Sequence, residues 1–136
     1  PGDRIAVEVD LAVVVVDAGQ LIRNLYLVLQ LVELQVPVIV ALNMIDEVVD
    51  DPPAPEAIER LFGVPVVPTS ARHGHGLAEL RARIREGLRR PPVGTFRLDY
   101  PAALERDLAA VAAALPAEWR SSRERDRALA LWALTS

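Results

Sequence analysis

Residues 11–47, LAVVVVDAGQLIRNLYLVLQLVELQVPVIVALNMIDE, decide the fold. Two short Val-rich runs, LAVVVVDA at 11–18 and VPVIVALN at 36–43, are unbroken rather than alternating. That is the pattern of strands buried on both faces of a parallel sheet. Between them, Arg23 to Leu34 holds no Gly or Pro and is rich in Leu. It is long enough for a helix that carries the chain back to start a second parallel strand.

Downstream the unit repeats. PEAIERLF at 55–62 reads as a short helix with Pro in its first turn and Gly63 placed to stop it, and VPVVPTS at 64–70 as a third strand. Leu77, Leu80, Ile84 and Leu88 then form one apolar stripe on a helix whose outer face carries Arg81, Arg83, Arg85 and Arg89. The order β-α-β-α-β-α, with right-handed crossovers, predicts an α/β fold with a parallel sheet. Upstream, RIAVEVD at 4–10 alternates Ile5, Val7 and Val9 like an edge strand.

Pro91, Pro92 and Gly94 break the chain, so residues 1–90 read as one α/β unit, 91–98 as a linker and 99–136 as a helical appendage. In the appendage, Leu104, Leu108, Val111 and Leu115 mark an amphipathic helix ended by Pro116. A second helix is expected over about 122–134, its charged start RSSRERDR facing water and its apolar end, with Leu129, Trp132 and Ala133, packing on the helix before it.

Composition narrows the function. The 136 residues, 51% hydrophobic and 25% charged with a net charge of -4, describe a globular chain without a basic surface for nucleic acid. Cysteine is absent, which excludes disulfides, thiolate metal sites and cysteine nucleophiles. No apolar run reaches the length of a membrane span. All 15 basic residues are Arg, so a GxxxxGK[ST] phosphate-binding loop is excluded within these residues. That gap and the initial Pro1 lead us to expect a piece of a longer protein.

In parallel α/β sheets, ligands bind beyond the carboxyl ends of the strands. There the sequence places Asp17, the N-x-x-D segment Asn43-Met44-Ile45-Asp46, and Thr69-Ser70-Ala71-Arg72. Guanine presents two donors, N1–H and the exocyclic amine, beside one acceptor, O6. A carboxylate at Asp46 accepts both donors in a fork while the Ala71 backbone N–H donates to O6. Adenine reverses these groups and would leave a buried carboxylate unpaired, a loss of several kcal/mol or roughly 10³-fold. Asn43 is expected to brace the loop, Ser70 to orient Asp46, and the polarizable Met44 to cover the face of the base. Asp17 is expected to cap its loop. His73 and His75 have an H-x-H spacing, but with no third soft ligand in sequence reach no metal site and no catalytic residue is assigned.

With these motifs in order, the chain resembles the cytoplasmic guanine-nucleotide-binding region of the ferrous iron transport protein B (FeoB) family. The resemblance is carried by VVVVDAGQLIRNLYLVLQLVELQVPVIVALNMIDE and LFGVPVVPTSARHGHGLAEL, within about residues 11–90, and by the NMxD form in place of the commoner NKxD. DYPAALERDLAAVAAAL and RALALWAL resemble the family's following helical domain less specifically.

The resemblance implies a partial P-loop GTPase fold with Asn43, Met44, Asp46, Ser70 and Ala71 at the guanine site and GTP or GDP as ligand. It implies Mg²⁺ in the complete domain, on ligands outside this chain. It also implies a place for this region at the cytoplasmic face of the bacterial inner membrane, with a membrane-spanning Fe²⁺ permease portion in the same polypeptide as its partner. The phosphate-binding loop, switch segments and DxxG element are not found here, so the chain alone is expected to hydrolyse no GTP and to self-associate through an exposed sheet edge. The competing readings are a fragment of a soluble ribosome-associated GTPase and a nucleotide-independent interaction module.

Overall fold

The computed structural model describes residues 9–43 and 54–135. Three strands, β1 (Ala12–Asp17), β2 (Val38–Asn43) and β3 (Val66–Pro68), form a parallel sheet in the order β1-β2-β3. Ala12 faces Val38 and Asp17 faces Asn43 in the first ladder, and Val40 faces Val66 in the second. Helices α1 (Leu21–Glu33), α2 (Pro55–Phe62) and α3 (Leu77–Arg89) alternate with the strands. Two further helices follow, α4 (Ala102–Ala114) and α5 (Arg123–Thr135). Within RIAVEVD only Val9 and Asp10 are among the described residues, and neither lies in a strand.

The Val-rich runs find different environments. β2 sits between its neighbours and buries Val38 to Leu42 on both faces. Val14 and Val16 of β1 join Val28 and Val32 of α1, and Ile58 and Phe62 of α2, in one apolar cluster. The other face of β1 is open, with Val13 39% and Val15 62% exposed, so burial on both faces holds for the central strand and not for the edge.

On the same side of the sheet, Gly87 seats α3 against the central strand β2. A Cβ there would stand 3.1 Å from both Ile39 and Leu11, so the helix seats through a residue without a side chain. The expected stripe is corrected at its end: Leu88 points to solvent and Gly87 takes the buried position. Periodicity weighs side chains, and this contact depends on the lack of one.

Residues 91–98 run as a strap against the sheet and helices. Val38 N–H donates to the Pro92 carbonyl at 3.1 Å, Thr95 N–H donates to the Phe62 carbonyl at 3.0 Å, and Phe96 meets Phe62 edge-on with centroids 5.4 Å apart. The strap ends in a polar joint. Leu98 N–H donates to Glu33 of α1 at 3.3 Å, and its carbonyl accepts from Arg127 of α5 at 2.6 Å. Arg127 also forks onto Glu105 of α4, through Nε to Oε2 at 3.0 Å and Nη2 to Oε1, and lies over the Tyr100 ring.

The charged start of α5 faces water at Arg123, Glu124 and Arg125, as expected, but not at Arg127, which is only 9% exposed. Ala128 and Ala130 share the buried face, whereas Trp132 at the apolar end is 61% exposed. The bidentate carboxylate and the Leu98 carbonyl satisfy the guanidinium out of water. Leu108 of α4 and Leu115 at its C-cap are buried as the stripe requires, and Arg120 donates to the Ala113 and Leu115 carbonyls at the end of the helix.

Candidate functional site

Parallel pairing puts the carboxyl ends of the strands along one edge of the sheet, and the register sets Asp17 directly beside Asn43. Asp17 closes its own turn: Oδ1 accepts from Gly19 N–H at 2.7 Å, the local Asx geometry expected of a capping carboxylate.

Asn43 joins the loops that leave β2 and β3. Its Oδ1 accepts from Ala71 N–H at 3.0 Å and from the Thr69 hydroxyl at 3.2 Å. A carbonyl oxygen has two lone pairs, and this one spends both on the same neighbouring loop. Thr69 N–H donates to the Leu42 carbonyl at 2.8 Å, which extends the β2–β3 ladder and holds the hydroxyl in place. Thr69 and Ser70 are both buried. Thr69 was not singled out from sequence as a site residue, although its place between β3 and Ser70 was the available signal.

Beyond them the loop folds back on itself. Ser70 and His75 exchange backbone hydrogen bonds of 3.0 and 3.1 Å, and His73 N–H donates to the Ser70 carbonyl at 3.1 Å. The turn closes at Gly76, whose φ of 77° lies in the left-handed region and whose absent Cβ would fall 2.2 Å from the Pro68 carbonyl oxygen. Only glycine satisfies both conditions. Ala71 N–H is therefore presented from a braced turn at the rim of the sheet.

Of the five expected base-site residues, the structure brings Asn43 into direct contact with Ala71, and Ser70 into the same turn. Met44 and Asp46 lie outside the described residues. Among the described residues no group of three or more His, Asp or Glu side chains is arranged to cage a metal ion. No described helix is long and apolar enough to cross a membrane.

Among the described residues the strongest electrostatic perturbation lies at the polar joint. The hydrogen bond from Arg127 is the main cause that holds the Glu105 carboxyl down to about 2, and the same bond raises Arg127. Burial, then the nearby Glu33 carboxylate, raises Tyr100. A cleft of about 500 Å³ between α4 and α5 is lined by Arg97, Arg120, Arg123 and Arg127. Arg97 faces Asp99, Arg120 caps α4 and Arg127 grips Glu105, so the cleft reads as part of the helix joint.

Comparison with known proteins places this geometry in context. Residues 4–84 match the family model described as ferrous iron transport protein B. A fusion of Fe(2+) transport protein A with the Fe(2+) transporter FeoB from Porphyromonas gingivalis is 42% identical over 105 residues, covering 71% of this chain and 12% of the fusion protein. The cytosolic domain of the T. maritima FeoB iron transporter, in its apo form, superposes with a TM-score of 0.79 at 30% identity, covering 95% of this chain and 51% of that domain. The GMPPNP form of the same domain gives a TM-score of 0.76 at 30% identity, covering 91% of this chain and 49% of that one. The chain thus spans about an eighth of the fusion protein and about half of the crystallised domain.

Proposed function

This chain belongs to the ferrous iron transport protein B family, and from that premise we propose that it supplies the base-selecting half of a guanine-nucleotide site that regulates Fe²⁺ uptake. The observation that carries the reading is the clasp of Asn43 on Ala71 and Thr69, which makes the loops after β2 and β3 one unit at the ligand-binding edge of a parallel sheet.

In this reading Asp46 accepts the guanine N1–H and amine, Ala71 N–H donates to O6, Met44 covers the ring, Ser70 orients Asp46, and Asn43 sets the loop geometry. Ala71 N–H donates to Asn43 Oδ1. An entering O6 shares or takes over that donor, and Thr69 keeps Asn43 in place meanwhile. The GMPPNP form of the T. maritima domain supports a guanine nucleotide as the ligand class.

Phosphoryl transfer needs charge placed around the β and γ phosphates. These residues hold no Lys for that role, and in this reading Mg²⁺ and its ligands belong to the complete domain. The chain's own part is selection of the base. Regulated transport is then the work of the whole polypeptide, with this region on the cytosolic side of the membrane and a permease portion as its partner. The open face of β1 at Val13 and Val15 supports self-association of the isolated chain.

Titration of the complete domain with fluorescent guanine, xanthine and adenine nucleotides tests the assignment. Guanine preference that depends on Asp46 and Asn43 supports it. Absence of guanine preference leaves the chain as a nucleotide-independent interaction module within the family.

A further inference from the structure

The cleft of about 500 Å³ between α4 and α5 gathers side chains from three separate segments: Arg97 from the strap, Arg120 from the turn between the helices and Arg123 from the first position of α5. With Arg127 these make four guanidiniums against two carboxylates, Glu105 and Asp126. The joint uses only part of that charge. Arg127 and Glu105 neutralise each other, and Asp126 accepts from Ser121 N–H at 2.9 Å. Arg120 gives its Nε and Nη2 to the Leu115 and Ala113 carbonyls, which carry no net charge to offset its own. Arg97 stands 3.7 Å from Asp99 and 3.9 Å from Glu105, beyond hydrogen-bond reach of either. The Arg123 guanidinium has no ion-pair or hydrogen-bond partner among the described residues.

The floor beneath these arginines is apolar. Leu108 is fully buried, and Ala109, Ala112 and Ala113 line one face of α4 at helical spacing, where methyl groups leave room that longer side chains would fill. Small-molecule sites occupy about 300–1,000 Å³ and combine an apolar lining with a few placed polar groups. The guanidinium fork matches the oxygens of a phosphate. We propose that this cleft binds a small phosphate monoester with an apolar body, its phosphate held by Arg97, Arg120 and Arg123 and its body lying on the alanine face of α4. A phosphate close to dianionic at neutral pH supplies the charge that the joint leaves unmatched, and a single carboxylate supplies only part of it. None of these residues belongs to the base site, so the inference stands apart from that reading.

The test is a titration of the full chain with phenyl phosphate, followed by NMR of the backbone amides and the arginine Nε–H groups. Signals from Arg97, Arg120, Arg123 and the three alanines should move together and saturate at one ligand per chain. Inorganic phosphate, which has the head alone, should bind about tenfold or more weakly, because it buries no apolar surface. Arg97→Gln and Arg123→Gln should each weaken phenyl phosphate by about tenfold, the loss of one hydrogen bond between charged groups. Both variants keep the Arg127–Glu105 pair, and their amide spectra verify the fold. Ala109→Leu fills the floor and should weaken phenyl phosphate while leaving inorganic phosphate unchanged. Absence of saturable shifts, variants that bind like the parent, or inorganic phosphate or benzoate binding as tightly as phenyl phosphate would overturn the proposal. Loss of guanine selection would leave this titration unchanged, so the two readings fail separately.

Discussion

Asn43 Oδ1 accepts the Ala71 backbone N–H at 3.0 Å, a contact between residues 28 positions apart that ties the end of one strand to the loop after the next. Asn43→Ala removes the acceptor for both Ala71 and Thr69. Ala71 is exposed and water replaces part of the loss, so the stability cost should be only about 1 kcal/mol, read from the urea midpoint. Guanine-nucleotide affinity of the complete domain should fall by about tenfold or more, since the donor is then no longer pre-positioned. Affinity unchanged from the parent would contradict a bracing role.

Gly74 and Gly76 share a positive φ but not the same surroundings. Gly74→Ala meets open space and should cost about 1 kcal/mol, the left-handed backbone penalty alone. Gly76→Ala drives a Cβ into the Pro68 carbonyl and should cost clearly more, about 2 kcal/mol or above. Thermal unfolding of the two variants side by side reads the difference, and equal losses would refute the close approach.

The Arg127 guanidinium holds the Glu105 carboxyl at about 2, below its ordinary value of 4.5. A depressed carboxyl contributes its stabilisation fully above the ordinary value and loses it as pH falls through the folded one. Melting temperature should therefore decline from about pH 4.5 toward pH 2, and Glu105→Gln should flatten that decline while lowering stability at neutral pH. Parallel pH profiles for variant and parent would show that the pair is uncoupled from folding.

Val15 stands 62% exposed in the open face of β1. Val15→Glu should reduce self-association of the isolated chain in sedimentation velocity, with a stability change within about 0.5 kcal/mol because the site is on the surface. A parent chain that is monomeric at high concentration would contradict the proposed role of this face.

The strands, α2 and α3 were legible because their signals are local: an apolar run, a Pro at a first turn, a Gly stop. The strand-end rule likewise located Asp17, Asn43 and the Thr69–Arg72 loop. What escaped were relationships between distant residues. Leu88 looked like a core residue because the close approach at Gly87 is invisible to periodicity. Arg127 looked solvated because its partners Glu105 and Leu98 lie 22 and 29 positions away. Trp132 looked buried because an apolar residue in a helix carries no record of which face its neighbours cover. Asn43 was expected to brace its loop, and Thr69, though inside the TSAR segment, was given no role of its own in that contact.

Base selection is tested most directly by measuring the affinities of the complete domain for guanine and xanthine nucleotides before and after Asp46→Asn. Replacing the carboxylate with an amide supplies a donor where xanthine carries a carbonyl and removes the acceptor that guanine needs. Preference should move toward xanthine by about 10²-fold or more, as expected when a buried polar match is reversed. A variant that still prefers guanine as strongly as the parent would contradict the account.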